Sequence, residues 1–130
     1  MSSENSGSIQ EFIERIYVML SAYGFKVSQK KIIENTFYGI QEFILLHATT
    51  SMDKTIILRF RKDGYVRIHL SINKQEISED FTEGLEELGI NISLDKDRLE
   101  GSIAMCRDRV YNVINNLMSL IKTYEGSLSQ

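Results

Sequence analysis

The chain has 130 residues, with 15 Lys and Arg against 18 Asp and Glu, a formal net charge of −3 and 42% hydrophobic residues. That is the ordinary mix of one soluble globular domain, which buries about two-thirds of its unfolded surface without needing disulfides or metal. A single Cys excludes a disulfide framework and a cysteine-based zinc cluster, and the net acidity argues against a dedicated nucleic-acid binder.

No apolar run approaches the roughly 20 residues of a membrane span, and no charged-then-apolar signal peptide opens the chain. The expected setting is therefore cytoplasmic. Residues 1–7 are small and polar and read as a disordered tail, with 126–130 as a flexible C-terminus. Ser8 followed three residues later by Glu11 has the form of a capping box. Ile9, Phe12, Ile13, Ile16, Leu20 and Tyr23 then recur at helical spacing, and Gly24 sits where a cap stops the helix. Residues 25–36 fit either a short strand or a helical turn, and periodicity does not choose between them. The run from Phe37 to Ala48 is rich in strand formers. Its second half is apolar on both faces, which points to a central position or a covered outer face.

The segment around Lys62-Asp63-Gly64 sets a register. A two-residue turn would mix apolar and polar residues on each face. A three-residue loop with Gly64 in the left-handed position pairs Phe60 with Val66, Leu58 with Ile68 and Ile56 with Leu70. That places one apolar set on one face, and a slip by one residue would turn half of it outward. The opposite face then carries Arg59, Arg61, Tyr65, Arg67 and His69, with Ile57 among them. An acidic helix follows, with Phe81, Leu85 and Leu88 as its apolar stripe, Ser78 or Asn73 as its cap and Gly89 at its end. Ile90, Ile92 and Leu94 alternate, as do Leu99 and Ile103, which predicts a short hairpin with Gly101 as a bulge. Cys106, Val110, Val113, Leu117, Leu120 and Tyr124 form the stripe of the last helix. The expected order is α-β-β-β-α-β-β-α over residues 8–125. It is a single α+β domain, an antiparallel sheet with its helices packed on one face.

Catalytic constellations are sparse. His47 and His69 are the only histidines, no His, Cys, Asp or Glu cluster has metal-ligand spacing, and Cys106 on a helical stripe is expected to be a buried small hydrophobe. The glycines sit at helix ends and turns rather than between a strand and a helix, so no nucleotide loop is present. Glu79, Asp80, Glu83, Glu86 and Glu87 crowd one solvated helix face, which does not shift a carboxyl's pKa as general acid–base work requires. The expectation is no catalytic residue, no cofactor and no metal.

Charge is the stronger signal. Residues 54–71 hold Lys54, Arg59, Arg61, Lys62 and Arg67 against Asp63 alone, whereas residues 74–89 hold Lys74 against six carboxylates. Arg59 and Arg67 oppose each other in the favoured register, a like-charge pair that wants a counter-anion. Four sources fit: groups of the same chain, an acidic segment of another protein or a twin subunit, single-stranded nucleic acid stacked on Tyr65, and small anions.

Particular stretches resemble the type III secretion chaperone-like fold, which includes the YbjN-type bacterial domains. The first helix ends in Ala22-Tyr23-Gly24-Phe25-Lys26-Val27, three strands follow, a helix closes with Glu86-Glu87-Leu88-Gly89-Ile90, and the segment from Ile92 to Ile103 resembles the hairpin before that family's last helix. The resemblance spans residues 8–125. It implies a small acidic protein, commonly a homodimer, that binds another polypeptide and has no catalysis. The leading expectation is accordingly a non-enzymatic protein-binding adaptor or chaperone, homodimeric, with Arg59, Arg61, Tyr65, Arg67 and His69 as partner-binding residues. The alternative is weak binding of RNA or single-stranded DNA by the same face.

Overall fold

The structure is a computed structural model that describes residues 2–50, 54–73, 78–95 and 97–128; side chains at 2–8 and 124–128 are outside that description. The first helix begins at Ser2 and the last runs to Leu128, so the backbone of residues 2–7 and 126–128 is helical where the sequence suggested a disordered tail and a flexible end. Ser8 lies inside the first helix instead of capping it, and Met1, Ser129 and Gln130 lie outside the described residues. Helix α1 (Ser2–Ala22) leads into four strands, β1 (Lys26–Thr36), β2 (Gly39–Thr49), β3 (Lys54–Arg61) and β4 (Tyr65–Asn73). Helix α2 (Glu79–Glu87), strands β5 (Asn91–Leu94) and β6 (Arg98–Cys106), and helix α3 (Arg107–Leu128) complete the chain. One antiparallel sheet runs β1-β2-β3-β4-β6-β5. The fold is α+β.

The order differs from the expected one by a strand. Residues 25–36, undecided from spacing, supply β1, an edge strand paired with all of β2 through the Phe37-Tyr38 turn. Its alternation is blurred because Gln29 and Lys31 occupy the helix-side face where it overhangs the helices, and both are exposed. Strand β2 therefore begins at Gly39, beyond the turn, and lies between β1 and β3. The apolar run on both its faces reflects that interior position, not a second covering layer.

The hairpin register is the expected one. Phe60 pairs with Val66, Leu58 with Ile68 and Ile56 with Leu70. Gly64 closes the loop at φ +90°, a conformation that side chains disfavour, and its N–H donates to the Arg61 carbonyl at 3.1 Å. All six apolar side chains are buried against α1 and α3. Phe12 of α1 bridges the layers, edge-on to Phe60 at 5.7 Å and to Tyr111 of α3 at 5.1 Å. Helix α1 closes with the Phe25 N–H donating to the Leu20 carbonyl at 3.1 Å, and both side chains are buried. That pair of features is the Gly24-centred cap read from the sequence.

Helix α2 is capped by Ser78, whose hydroxyl accepts from the Phe81 N–H at 3.2 Å, while Asn73 is paired in β4. Phe81 and Leu85 join the same core. Gly101 is not a bulge: β6 pairs without interruption with β4 and β5 on either side of it. Its reason is space, because a Cβ there would stand 2.7 Å from Ile90 Cγ2. Cys106 is likewise not in the last helix. It ends β6 and is exposed, so the expected burial is wrong.

Phe60→Ala should cost about 3–5 kcal/mol in urea unfolding, as expected for a buried aromatic. Arg61→Ala should change stability by less than about 0.5 kcal/mol. Equal effects would mean that the two faces of the hairpin are misassigned.

Candidate functional site

With the core on one side, the odd-numbered residues of β3 and β4 meet on the other side of the sheet. Lys30, Leu45, Arg59, Arg67 and Ala104 lie in one row across β1, β2, β3, β4 and β6. Ile32, Phe43, Arg61, Tyr65 and Cys106 form the next row, and Ser28, His47, Ile57, His69 and Ser102 lie on the other side of the first. The five expected partner-binding residues thus share one face.

Their surroundings differ. Arg59 pairs with Glu34 across two strands and lays its guanidinium over the Phe43 ring, 3.9 Å from the centroid. This stacked cation explains why Phe43 is buried on a face without a second layer. Arg61 binds Asp63 at 2.9 Å and lies 5.9 Å from the Tyr65 ring centroid. Asp63 also accepts the Tyr65 N–H at 3.1 Å, which ties the loop to the start of β4. His69 Nε2 is 3.7 Å from Glu100, too long for a hydrogen bond. Arg67, directly opposite Arg59, is exposed and has no acidic partner among the described residues. Gln41, Phe43, Arg59, Arg61, Tyr65 and Arg67 line a shallow groove of about 280 Å³.

Two features of the sequence's basic cluster are rearranged. Lys54 is buried at the start of β3 opposite Ile72, on the helix side, and does not join the arginine face. The acidic helix α2 packs on α3 and β5 in the helix layer, so the counter-anions of the arginine face are Glu34 and Asp63. Glu34 lay in the segment whose secondary structure spacing left open, and Gln41 and Phe43 lay in an apolar run that gives no hint of which side faces out.

Histidine and cysteine do not converge. Cys106 pairs with Tyr65, whereas His69 pairs with Ser102, and Ile57 separates His69 from His47. Among the described residues, no three His, Cys, Asp or Glu side chains are grouped to hold a metal ion, and no helix is long and apolar enough to cross a membrane. No protein-family model, curated protein or solved structure matches the chain.

A second charge cluster lies at the far end of the β1–β2 ribbon on the helix side. Glu42 takes Lys31 Nζ at 2.9 Å and Lys62 Nζ at 3.2 Å. The hydrogen bond from Lys31 first, then that from Lys62, holds the Glu42 carboxyl below the ordinary value. A carboxyl depressed in the folded state contributes stability that is present above its unfolded pKa and is lost as pH falls through its folded pKa. In a side-chain NMR titration, Glu42 should therefore protonate below the ordinary glutamate range. Lys31→Met should move its midpoint up toward that range; an unchanged midpoint would mean that Lys31 does not hold it.

Proposed function

We propose that the chain is a non-enzymatic protein-binding adaptor or chaperone module, homodimeric and cytoplasmic, whose arginine face holds an acidic stretch of another polypeptide. Arg67 carries this reading. It is an exposed guanidinium set against a second one, and Arg59 already has its own carboxylate. An incoming carboxylate relieves the like-charge pair and gains the charge-assisted bonds that Arg forms with such groups. Half-buried Leu45 and Ile57 beside the arginines offer apolar contact to the same ligand. The charges would govern register and encounter rate more than raw affinity.

The type III secretion chaperone-like resemblance, YbjN-type domains included, is part of the same proposal. An α+β chain whose helices share one face agrees with what it implies, and the fourth strand before α2 departs from the three it implies. Tyr65, exposed between Arg61 and Arg67, favours a second reading in which the face stacks single-stranded nucleic acid.

Titration of isotopically labelled protein with an oligoglutamate peptide and with an oligothymidylate separates the two. The peptide should shift the amide signals of Arg59, Arg61, Tyr65, Arg67 and His69 saturably at moderate salt. Arg67→Glu should weaken it about tenfold or more, the equivalent of about 1.4 kcal/mol. Tighter binding of the oligothymidylate, lost steeply with salt, would instead favour the nucleic-acid reading.

A further inference from the structure

The two edges of the sheet are managed differently. Strand β5 offers four residues, whereas β1 offers eleven. Exposed edges are normally short because their free N–H and C=O groups template pairing with another chain. The outward groups of β1 can be named. The Thr50 N–H donates to the Lys54 carbonyl at 3.0 Å, so the even-numbered residues of β2 turn their backbone groups to β3 and the odd-numbered ones to β1. By register, the even-numbered residues of β1 face β2, and Val27, Gln29, Lys31, Ile33 and Asn35 present theirs to the free edge.

We infer that this edge pairs antiparallel with β1 of a second copy about a two-fold axis at Ile32, joining two six-stranded sheets into one. The inference rests on the homodimer reading above and assigns its interface and register. Charge selects the register. Pairing about Ile32 keeps outward backbone groups face to face and sets Lys30 opposite Glu34 of the second copy, twice by symmetry. Pairing about Lys30 or Lys31 sets like lysines against each other, and pairing about Ile33 moves Glu34 opposite Ile32. Glu34 would then be shared between Arg59 and the second copy's Lys30, much as Glu42 is shared between Lys31 and Lys62.

The apolar residues agree. Ile33 and Phe37 are 65% and 97% exposed in the single chain. The same register brings Phe37 level with Val27 of the second copy and Tyr38 level with its Lys26. A two-fold axis normal to the sheet leaves both arginine faces on the same side. The two Arg67 residues would stand about seven strand spacings apart, on the order of 34 Å. An extended acidic segment of about ten residues spans that distance.

Analytical ultracentrifugation and cross-linking of the full chain test this. The wild type should sediment as a dimer at micromolar concentration. Ile33→Pro removes an N–H that only a second copy needs, and edge strands tolerate proline, so this variant should be folded and monomeric. In a Cys106→Ser background, Ile32→Cys should cross-link rapidly under a glutathione redox buffer, because directly opposed residues of a non-hydrogen-bonded pair lie within disulfide reach. Ile33→Cys should not. Lys30→Glu and Glu34→Lys should each dissociate the dimer, and the double variant should restore it. A monomeric wild type, a dimer that survives Ile33→Pro, or cross-linking through Ile33→Cys in preference would overturn the assignment. If Ile33→Pro fails to fold, the cross-linking pair decides. Binding of oligoglutamate by a monomer would sink this interface while leaving the arginine-face reading intact.

Discussion

Gly64, held at φ +90°, lets β3 and β4 join through three residues instead of two, and everything else about the sheet follows from that extra residue. With it, Ile56, Leu58 and Phe60 of β3 face Leu70, Ile68 and Val66 of β4, and Arg59 faces Arg67. The core can form only on one side. Helices α1, α2 and α3 all collect there around Phe12, Phe60 and Leu85. The other side keeps Arg59 and Arg67 in one row, and that forced juxtaposition is the chemical peculiarity of the molecule.

The open face solves half of its own charge problem. Glu34 reaches from β1 to Arg59, and Arg59 in turn roofs Phe43, so one guanidinium serves as ion-pair partner and as apolar cover. Asp63 does the same for Arg61 from within the loop. Among the described residues Arg67 is left without a carboxylate, beside an aromatic ring and half-buried aliphatic residues. A surface on which two arginines have carboxylate partners and a third has none among the described residues is suited to a ligand that brings its own.

The parts readable from sequence were those in which local chemistry and burial pattern agree. The first helix and its Gly24 end, the β3–β4 register and the Ser78-capped acidic helix are of this kind. Strand β1 was unreadable because an overhanging edge strand is not half-buried, so its polar and apolar residues lose the alternation that marks a strand. Gly101 was misread because a close approach by Ile90, invisible along the chain, leaves the same glycine as a bulge would. Cys106 fits the spacing of the helix that follows it, and only the pairing of β6 with Tyr65 shows that the strand runs on to include it. For the site, the five face residues followed from the register, while Glu34 and Phe43 required knowing which strands stand side by side.

The proposed acidic-polypeptide site on the open face centres on Arg67. Its most direct test is native mass spectrometry of the protein isolated from its own cells, as wild type and as Arg67→Glu, at low and at moderate salt. A stoichiometric polypeptide that stays on the wild type at moderate salt and is missing from the variant is the predicted result. Nucleic acid carried at low salt and shed at moderate salt, or a polypeptide retained equally by the variant, would contradict the account.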